Sequence, residues 1–331
     1  MRRGGNELVR PDGRTRRTAA ALAAATAMLA SGLGAAAARP ADAASATART
    51  AAPAAQSTTL CSVRPRGKAA AANPGAYVSG KRYWVQDDRF GSLDAKQCVT
   101  LVRHGRPAFR VSTSQARSPG YPVQAYPYIQ YGCYWGWCTP GSNMPVRITN
   151  IKSATSRWYT RERASGTWNA GYDLWLDSKP MARGHANRAE VMIWLNATAG
   201  HYKLGGPEHT RKVKVHGTWF YLSHWRTGGN VIPGGWEYVQ YRLVHTSWHT
   251  RNMHIGAVLT SAVRRHLISK YWYLQGILAG NEIWSGGTGL RTTWFAAHIT
   301  THHPVKINTE TSPAGPGLTG PPVPLTGLHG R

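Results

Sequence analysis

The chain has 331 residues, enough for one large β or α/β domain or two small ones. With 42% hydrophobic and 16% charged residues, 36 Gly and 20 Pro, it is too apolar and aromatic for wholesale disorder, and it lacks the composition of a helical bundle, coiled coil or solenoid. Forty Lys and Arg against fourteen Asp and Glu give a net charge of +26, which attracts anionic partners but does not set fold or chemistry.

In chain order, residues 1–17 carry six Arg, and an Ala-rich apolar stretch over 18–38 ends near the small-residue triplet Ala41-Asp42-Ala43. This pattern predicts a signal peptide over 1–43, cleaved to give a secreted, extracellular and monomeric protein without stable membrane association. Arg16-Arg17 hints at twin-arginine export, and the dominance of Ala argues against a retained anchor. The mature chain then carries +22. Residues 44–58 read as an Ala/Thr-rich disordered leader, 59–308 as the folded domain, and 309–331 as a Pro/Gly-rich disordered tail. Four Cys remain, an even number that suits two disulfides in an exported protein. Cys133 and Cys138 bracket a loop short enough to close locally, leaving Cys61 for Cys98. A four-Cys zinc site competes, although paired C-x-x-C spacings are missing.

Between breaks at Gly, Pro and Asn, β-branched and aromatic runs predict short antiparallel strands. They fall at Tyr83–Gln86, Val99–Leu101, Phe109–Ser112, Val146–Ile148, Tyr172–Leu176, Glu190–Asn196, Lys212–His216, Thr218–Ser223, Trp236–Leu243, Tyr271–Leu278 and Thr292–Ile299. One helix is expected over 256–268, where Val258, Leu259, Ala262 and Val263 share a face opposite Arg264 and Arg265. The fold class is all-β, a sandwich or jelly roll with one docked α-helix.

The few acids can be taken in turn. Alternation in Glu190–Leu195 puts Glu190, Met192 and Trp194 on one face and Val191, Ile193 and Leu195 on the other. In Tyr172–Asp177 the same rule groups Asp173, Trp175 and Asp177; before the turn Gly286-Gly287-Thr288-Gly289, Glu282 and Trp284 share a face. Carboxylates beside indoles suit glycoside hydrolysis, where one acid protonates the leaving oxygen and another attacks the anomeric carbon or activates water. The competing reading pairs these acids with the abundant Arg.

These motifs resemble glycoside hydrolase family 12, the small secreted endo-β-1,4-glucanases, and most closely its actinobacterial members. Matching stretches are Arg82–Gln86, Gln97–Thr100, Gly132-Cys133 with Cys138, Pro145–Arg147, Tyr172–Asp177, Glu190–Trp194, and Glu282 with Gly286–Leu290. The resemblance implies a jelly roll of two curved sheets holding glucan on the concave one, and retaining hydrolysis. It implies Glu190 as nucleophile, Glu282 as general acid/base and Asp173 as the acid that supports the nucleophile, with Trp84, Phe90, Trp175, Met192, Trp194 and Trp284 contacting sugar. A retaining pair stands roughly 5 to 5.5 Å apart. The family's two Asn followed one residue later by Trp are here Asp87-Asp88-Arg89-Phe90, and Asn281 and Ile283 replace an apolar residue and Pro beside the acid/base. These changes leave the preferred polymer open among cellulose, mixed-linkage glucan, xyloglucan and a charged wall polymer.

No cofactor or metal is expected. The His series, including His201, His209, His216, His224 and His302-His303, fits no compact ligand pattern. The expected partner is a β-glucan substrate and not nucleic acid. A non-catalytic jelly roll that holds an anionic polymer is the rival class.

Overall fold

Strand formation here follows side-chain alternation, with one apolar row turned inward and one aromatic, polar or charged row turned outward. The computed structural model describes residues 57–305 except 63–72, 92–94, 103–104, 118–122, 135–136, 162, 181–185, 199–209 and 229–232. The expected export signal, most of the leader, the tail, His201 and His209 lie outside the described residues.

The chain forms β1 (Thr59–Ser62), β2 (Gly75–Val78), β3 (Tyr83–Gln86), β4 (Gln97–Leu101), β5 (Phe109–Ser114), β6 (Ala116–Arg117) and β7 (Tyr128–Tyr134). Next come β8 (Trp137–Cys138), β9 (Val146–Arg147), β10 (Ile151–Arg161), β11 (Gly166–Asp177), β12 (Ala189–Ala197), β13 (Arg211–Val215), β14 (Thr218–Thr227) and β15 (Trp236–Leu243). After β16 (His249–Met253) and the helix α1 (Ile255–Arg264) follow β17 (Tyr273–Leu274), β18 (Gly276–Gly280), β19 (Ile283–Gly286) and β20 (Arg291–Thr301).

Two sheets result. The back sheet has the order β1-β4-β5-β20-β10-β16, and the main path of the front sheet runs β13-β14-β15-β12-β11-β18-β7-β3-β2. Their facing rows make one core, in which Trp158 of the back sheet meets Tyr172 of the front sheet edge-on, with ring centroids 5.1 Å apart. The Trp158 indole N–H is not left bare, because it donates to Thr292 Oγ1 at 3.0 Å. Helix α1 buries Ile255, Val258, Leu259 and Ala262 and packs against β10, as its apolar stripe predicts.

Several boundaries differ from the sequence reading. The helix stops at Arg264 because His266 adopts φ 58°, although Ile268 still reaches the core. The run Tyr271–Leu278 splits into β17 and β18, and Gln275 between them donates its backbone N–H to the Trp175 carbonyl at 2.9 Å. His216, expected in a strand, takes φ 45° in the hairpin turn, and Ile148 begins a 3-10 turn. One pairing of the front sheet, β12 with β15, is parallel. Strands β1, β2, β6, β7, β8, β10 and β16 were not read from the sequence. β7 is buried at six of its seven positions, so it carries no polar row to betray its period.

Both expected disulfides are present, Cys61–Cys98 and Cys133–Cys138. Each joins residues directly opposed in a strand pair, β1 with β4 and β7 with β8.

Candidate active site

The outward row of β12 lies at the middle of the front sheet. Val191, Ile193 and Leu195 are fully buried in the core, which forces Glu190, Met192 and Trp194 to the opposite face. Register then fixes their neighbours. Glu190 sits between Trp175 of β11 and Tyr238 of β15, Met192 between Asp173 and Gln240, and Trp194 between Gly171 and Arg242. At Gly171 even a Cβ would come within 3.2 Å of the Trp194 ring, so the absence of a side chain gives the indole its place.

Glu282 does not lie inside a strand, contrary to expectation; it and Asn281 form the two-residue link between β18 and β19. Asn169 of β11 holds this link. Its side-chain oxygen accepts the Glu282 backbone N–H at 3.0 Å, its Nδ2 donates to Glu282 Oε2, and its backbone N–H donates to the Glu282 carbonyl at 2.9 Å. Asn281, itself fully buried, donates Nδ2 to the Asn169 carbonyl at 2.9 Å. These bonds give the Glu282 carboxyl a fixed direction.

The other acids are held by indoles. Trp236 donates its N–H to Glu190 Oε2 at 2.9 Å, and Trp175 donates to Asp173 Oδ2 at 2.7 Å. Among the described residues the ion pairs are those of Glu237, with His224 and with Arg226. The reading that pairs the aromatic-face acids with Arg is therefore not what the structure contains. Cations outnumber acids almost three to one in this chain, yet these acids are bonded to neutral donors.

Their electrostatics follow from burial without counter-charge. Burial pushes the Asp173 carboxyl up to about 7 against the pull of the Trp175 N–H. Glu190, 6% exposed, is raised well above the carboxylate range by burial, then by Asp173 and Glu282, while Trp236 opposes the shift. Glu282 keeps some open surface, yet burial of its carboxyl lifts it to about 8, against the Asn169 donor and with a contribution from Asp173. Like charges in one desolvated cluster cannot all ionise near neutral pH, so the set retains protons that solvated carboxyls would have lost.

The remaining predicted residues divide by position. Met192, Trp194 and Trp284 form one cluster with Tyr238 and Val123; Trp194 and Trp284 meet edge-on at 6.2 Å. Trp175 packs with Trp236 at 5.3 Å, and Trp84 belongs to a separate cluster with Trp137, Tyr126 and Tyr128. Phe90 touches both the Trp84 and the Trp194 clusters and is only half-buried. Asp177, grouped with Asp173 by alternation, is not part of the acid set: it accepts the backbone N–H of Lys179 at 2.9 Å and of Asn187 at 3.0 Å and so ties a loop. Asp87 likewise faces away, accepting the Ser62 N–H at 2.9 Å and hydroxyl at 3.0 Å. Asp88 does join the set. Burial lifts it to about 8, with Asp87 and Asp173 adding to the rise.

Sequence reasoning missed Asn169, Trp236 and Tyr238. The last two carried a readable signal, since Trp236, Tyr238, Gln240 and Arg242 alternate in β15 as Glu190, Met192 and Trp194 do in β12. Asn169 had none beyond being polar within a strand.

Comparison with known proteins agrees with this geometry. The family model described as glycosyl hydrolase family 12 matches residues 81–300. The probable cellulase Cel12b of Mycobacterium tuberculosis is 30% identical over 159 residues, covering 48% of this chain and 99% of that protein. Endoglucanase S of Pectobacterium parmentieri is 26% identical over 217 residues, covering 63% and 79%. The solved endoglucanase cel12A of Rhodothermus marinus superposes with a TM-score of 0.63 at 28% identity, covering 74% of this chain and 99% of that one.

Proposed function

We propose, for a chain that belongs to glycosyl hydrolase family 12, that it cleaves internal β-1,4-glucosidic bonds of cellulose-type or mixed-linkage glucans with retention at the anomeric carbon. The observation that carries this reading is the set of buried carboxyls on one aromatic face, bonded to indole and amide donors and, among the described residues, in no ion pair.

In the first step the Glu282 carboxyl gives its proton to the glycosidic oxygen as the C–O bond breaks, and the Glu190 carboxylate forms an ester with the anomeric carbon. A carboxyl lifted to about 8 keeps that proton at neutral pH, as a general acid must. In the second step Glu282, now ionised, takes a proton from water, and the hydroxide oxygen displaces Glu190 from the sugar. The Trp236 N–H favours the ionised form of Glu190, and we assign to Glu190 the single charge that the coupled set can carry while its neighbours keep their protons. Phe90 and Trp225, both half-buried at the border of the Met192–Trp194 cluster, mark where the glucan meets the protein.

The test is reducing-end release from barley β-glucan, carboxymethylcellulose and xyloglucan, with Glu190→Gln and Glu282→Gln beside the wild type, and the anomer of the first product read by NMR. Loss of nearly all activity in both variants and a β-anomeric product support the proposal. An inverted product, or full activity in either variant, overturns it. Export with removal of residues 1–43 is part of the same proposal, and the N-terminal sequence of protein recovered from the culture medium checks it.

A further inference from the structure

The register that places Glu190 also extends outward to the edge of the front sheet. Trp194 lies opposite Arg242 of β15, Arg242 opposite Tyr221 of β14, and Tyr221 opposite Lys212 of β13. The next rung pairs Lys214 with Trp219. Directly opposed residues share a face of a sheet, so all of these project on the side of Glu190 and Met192. The intervening residues confirm the parity: Val213, Val215, Phe220 and Leu222 are buried in the core between the sheets.

This outer strip has an unusual make-up. Trp219 is 43% exposed, with Lys212 Nζ 5.1 Å and Lys214 Nζ 5.7 Å from its ring centroid. Arg242 is 6% exposed, with its guanidinium carbon 5.8 Å from the Tyr221 ring centroid. Residues 209–236 contain no Asp or Glu, so these strands carry no acid of their own to balance the cations. Lysines on an edge strand discourage sheet-to-sheet pairing. That purpose is served without an exposed indole between them or an arginine buried behind them. Toward the opposite end of the same sheet an acid joins this face instead, Asp88 just after β3. One face thus runs from acidic at one end to cationic and aromatic at the other.

We propose that Trp219, flanked by Lys212 and Lys214 and backed by Tyr221 and Arg242, is an outer subsite for a sugar bearing a carboxylate. The pyranose stacks on the indole and the ammonium groups pair with its carboxylate, so the substrate class is a β-glucan carrying anionic residues or substituents. Three strand spacings separate β13 from β12, about 14 Å, which places this contact well away from the bond being cleaved. The proposal rests on the hydrolase reading for the polymer's identity, but the binding it describes does not need turnover.

The probes are carboxymethylcellulose, neutral hydroxyethylcellulose, and cello-oligosaccharides with and without oxidised C6 carboxylates. In Lys212→Gln/Lys214→Gln, the ratio of kcat/KM on the charged polymer to that on the neutral one falls at least fivefold at 20 mM NaCl, and the difference from wild type closes at 300 mM, where screening is strong. Calorimetry on Glu190→Gln protein gives the same preference as binding: carboxylated oligosaccharide is favoured, and adding either the lysine pair or Trp219→Ala abolishes the preference. If wild type cleaves no glucan yet this preference exists and is lost in the variants, the hydrolase reading fails and the subsite stands. If wild type cleaves glucan but the lysine pair leaves both the ratio and the binding preference unchanged, the subsite is refuted.

Discussion

The raised carboxyl of Glu282 has a consequence for stability that is independent of catalysis. Its pKa stands at about 8 in the folded protein against an ordinary 4.5. Between those values the native state holds a proton that the unfolded chain has released. Stability contributed by this group is therefore fully present below about pH 4.5 and is lost as pH rises through 8. The full interval corresponds to about 5 kcal/mol at 1.36 kcal/mol per pH unit. Glu282 keeps some open surface, and water and local relaxation soften the penalty, so about 2 kcal/mol is the expected size. Glu282→Gln cannot ionise and still offers an oxygen to Asn169. Its melting temperature should exceed that of wild type by about 4–8 °C at pH 8 for a domain of this size, and should match it within about 1 °C at pH 4.5. Calorimetric melts of both proteins at pH 4.5, 6 and 8 measure this. An offset that is absent at pH 8, or equal at all three values, refutes the claim that an uncompensated buried carboxyl sits at this position.

Trp236→Phe removes the N–H bonded to Glu190 and leaves a ring in place; Glu190 loses a stabiliser of its charged form, so the acid limb of the kcat/KM profile should move up by about one pH unit, with kcat down about tenfold. Asn169→Ala frees the Glu282 link and should lower kcat by about 100-fold while shifting the alkaline limb upward, because the lost Nδ2 donor favours the ionised carboxyl. Both are read from pH–rate profiles on soluble β-glucan. Trp158→Ala, at the centre of the core, should cost about 4 kcal/mol in urea unfolding, since it opens a cavity and leaves Thr292 without its donor. Replacing Cys61 and Cys98 by Ser removes a link across 37 residues and should cost about 3 kcal/mol in the same assay while leaving the acid cluster's pH profile in place.

The legible parts of this protein are those in which one strand face is apolar and the other is not. Glu190, Met192 and Trp194 could be assigned to one face because Val191, Ile193 and Leu195 occupy the other. Strand β7 was invisible for the opposite reason: Tyr128–Cys133 is buried on both sides and has no period. Alternation also misgrouped Asp177 with Asp173, because it reports direction but not whether a strand end turns a side chain back onto its own loop. The placement of Glu282 depended on more than local pattern. What positions it is Asn169, more than a hundred residues away in sequence, and a single polar residue in a strand gives no indication of its partner. The choice between acids bonded to neutral donors and acids paired with cations was likewise beyond composition, since a large excess of cations is compatible with either arrangement.

The parallel pairing of β12 with β15 bears on how such a protein can diverge. A parallel neighbour cannot be reached by a tight turn, so the chain must leave β12 and return by a long excursion, and here that excursion contains the β13–β14 hairpin. The hairpin borders the sheet on one side only, and Glu190, Asp173 and Glu282 all lie on or beside other strands. Mutations within it can alter length, charge or aromatic content while the acid cluster keeps its register. The residues of this hairpin can therefore be exchanged as one contiguous segment while the strands that carry Glu190 and Asp173, and the link that carries Glu282, keep their sequence.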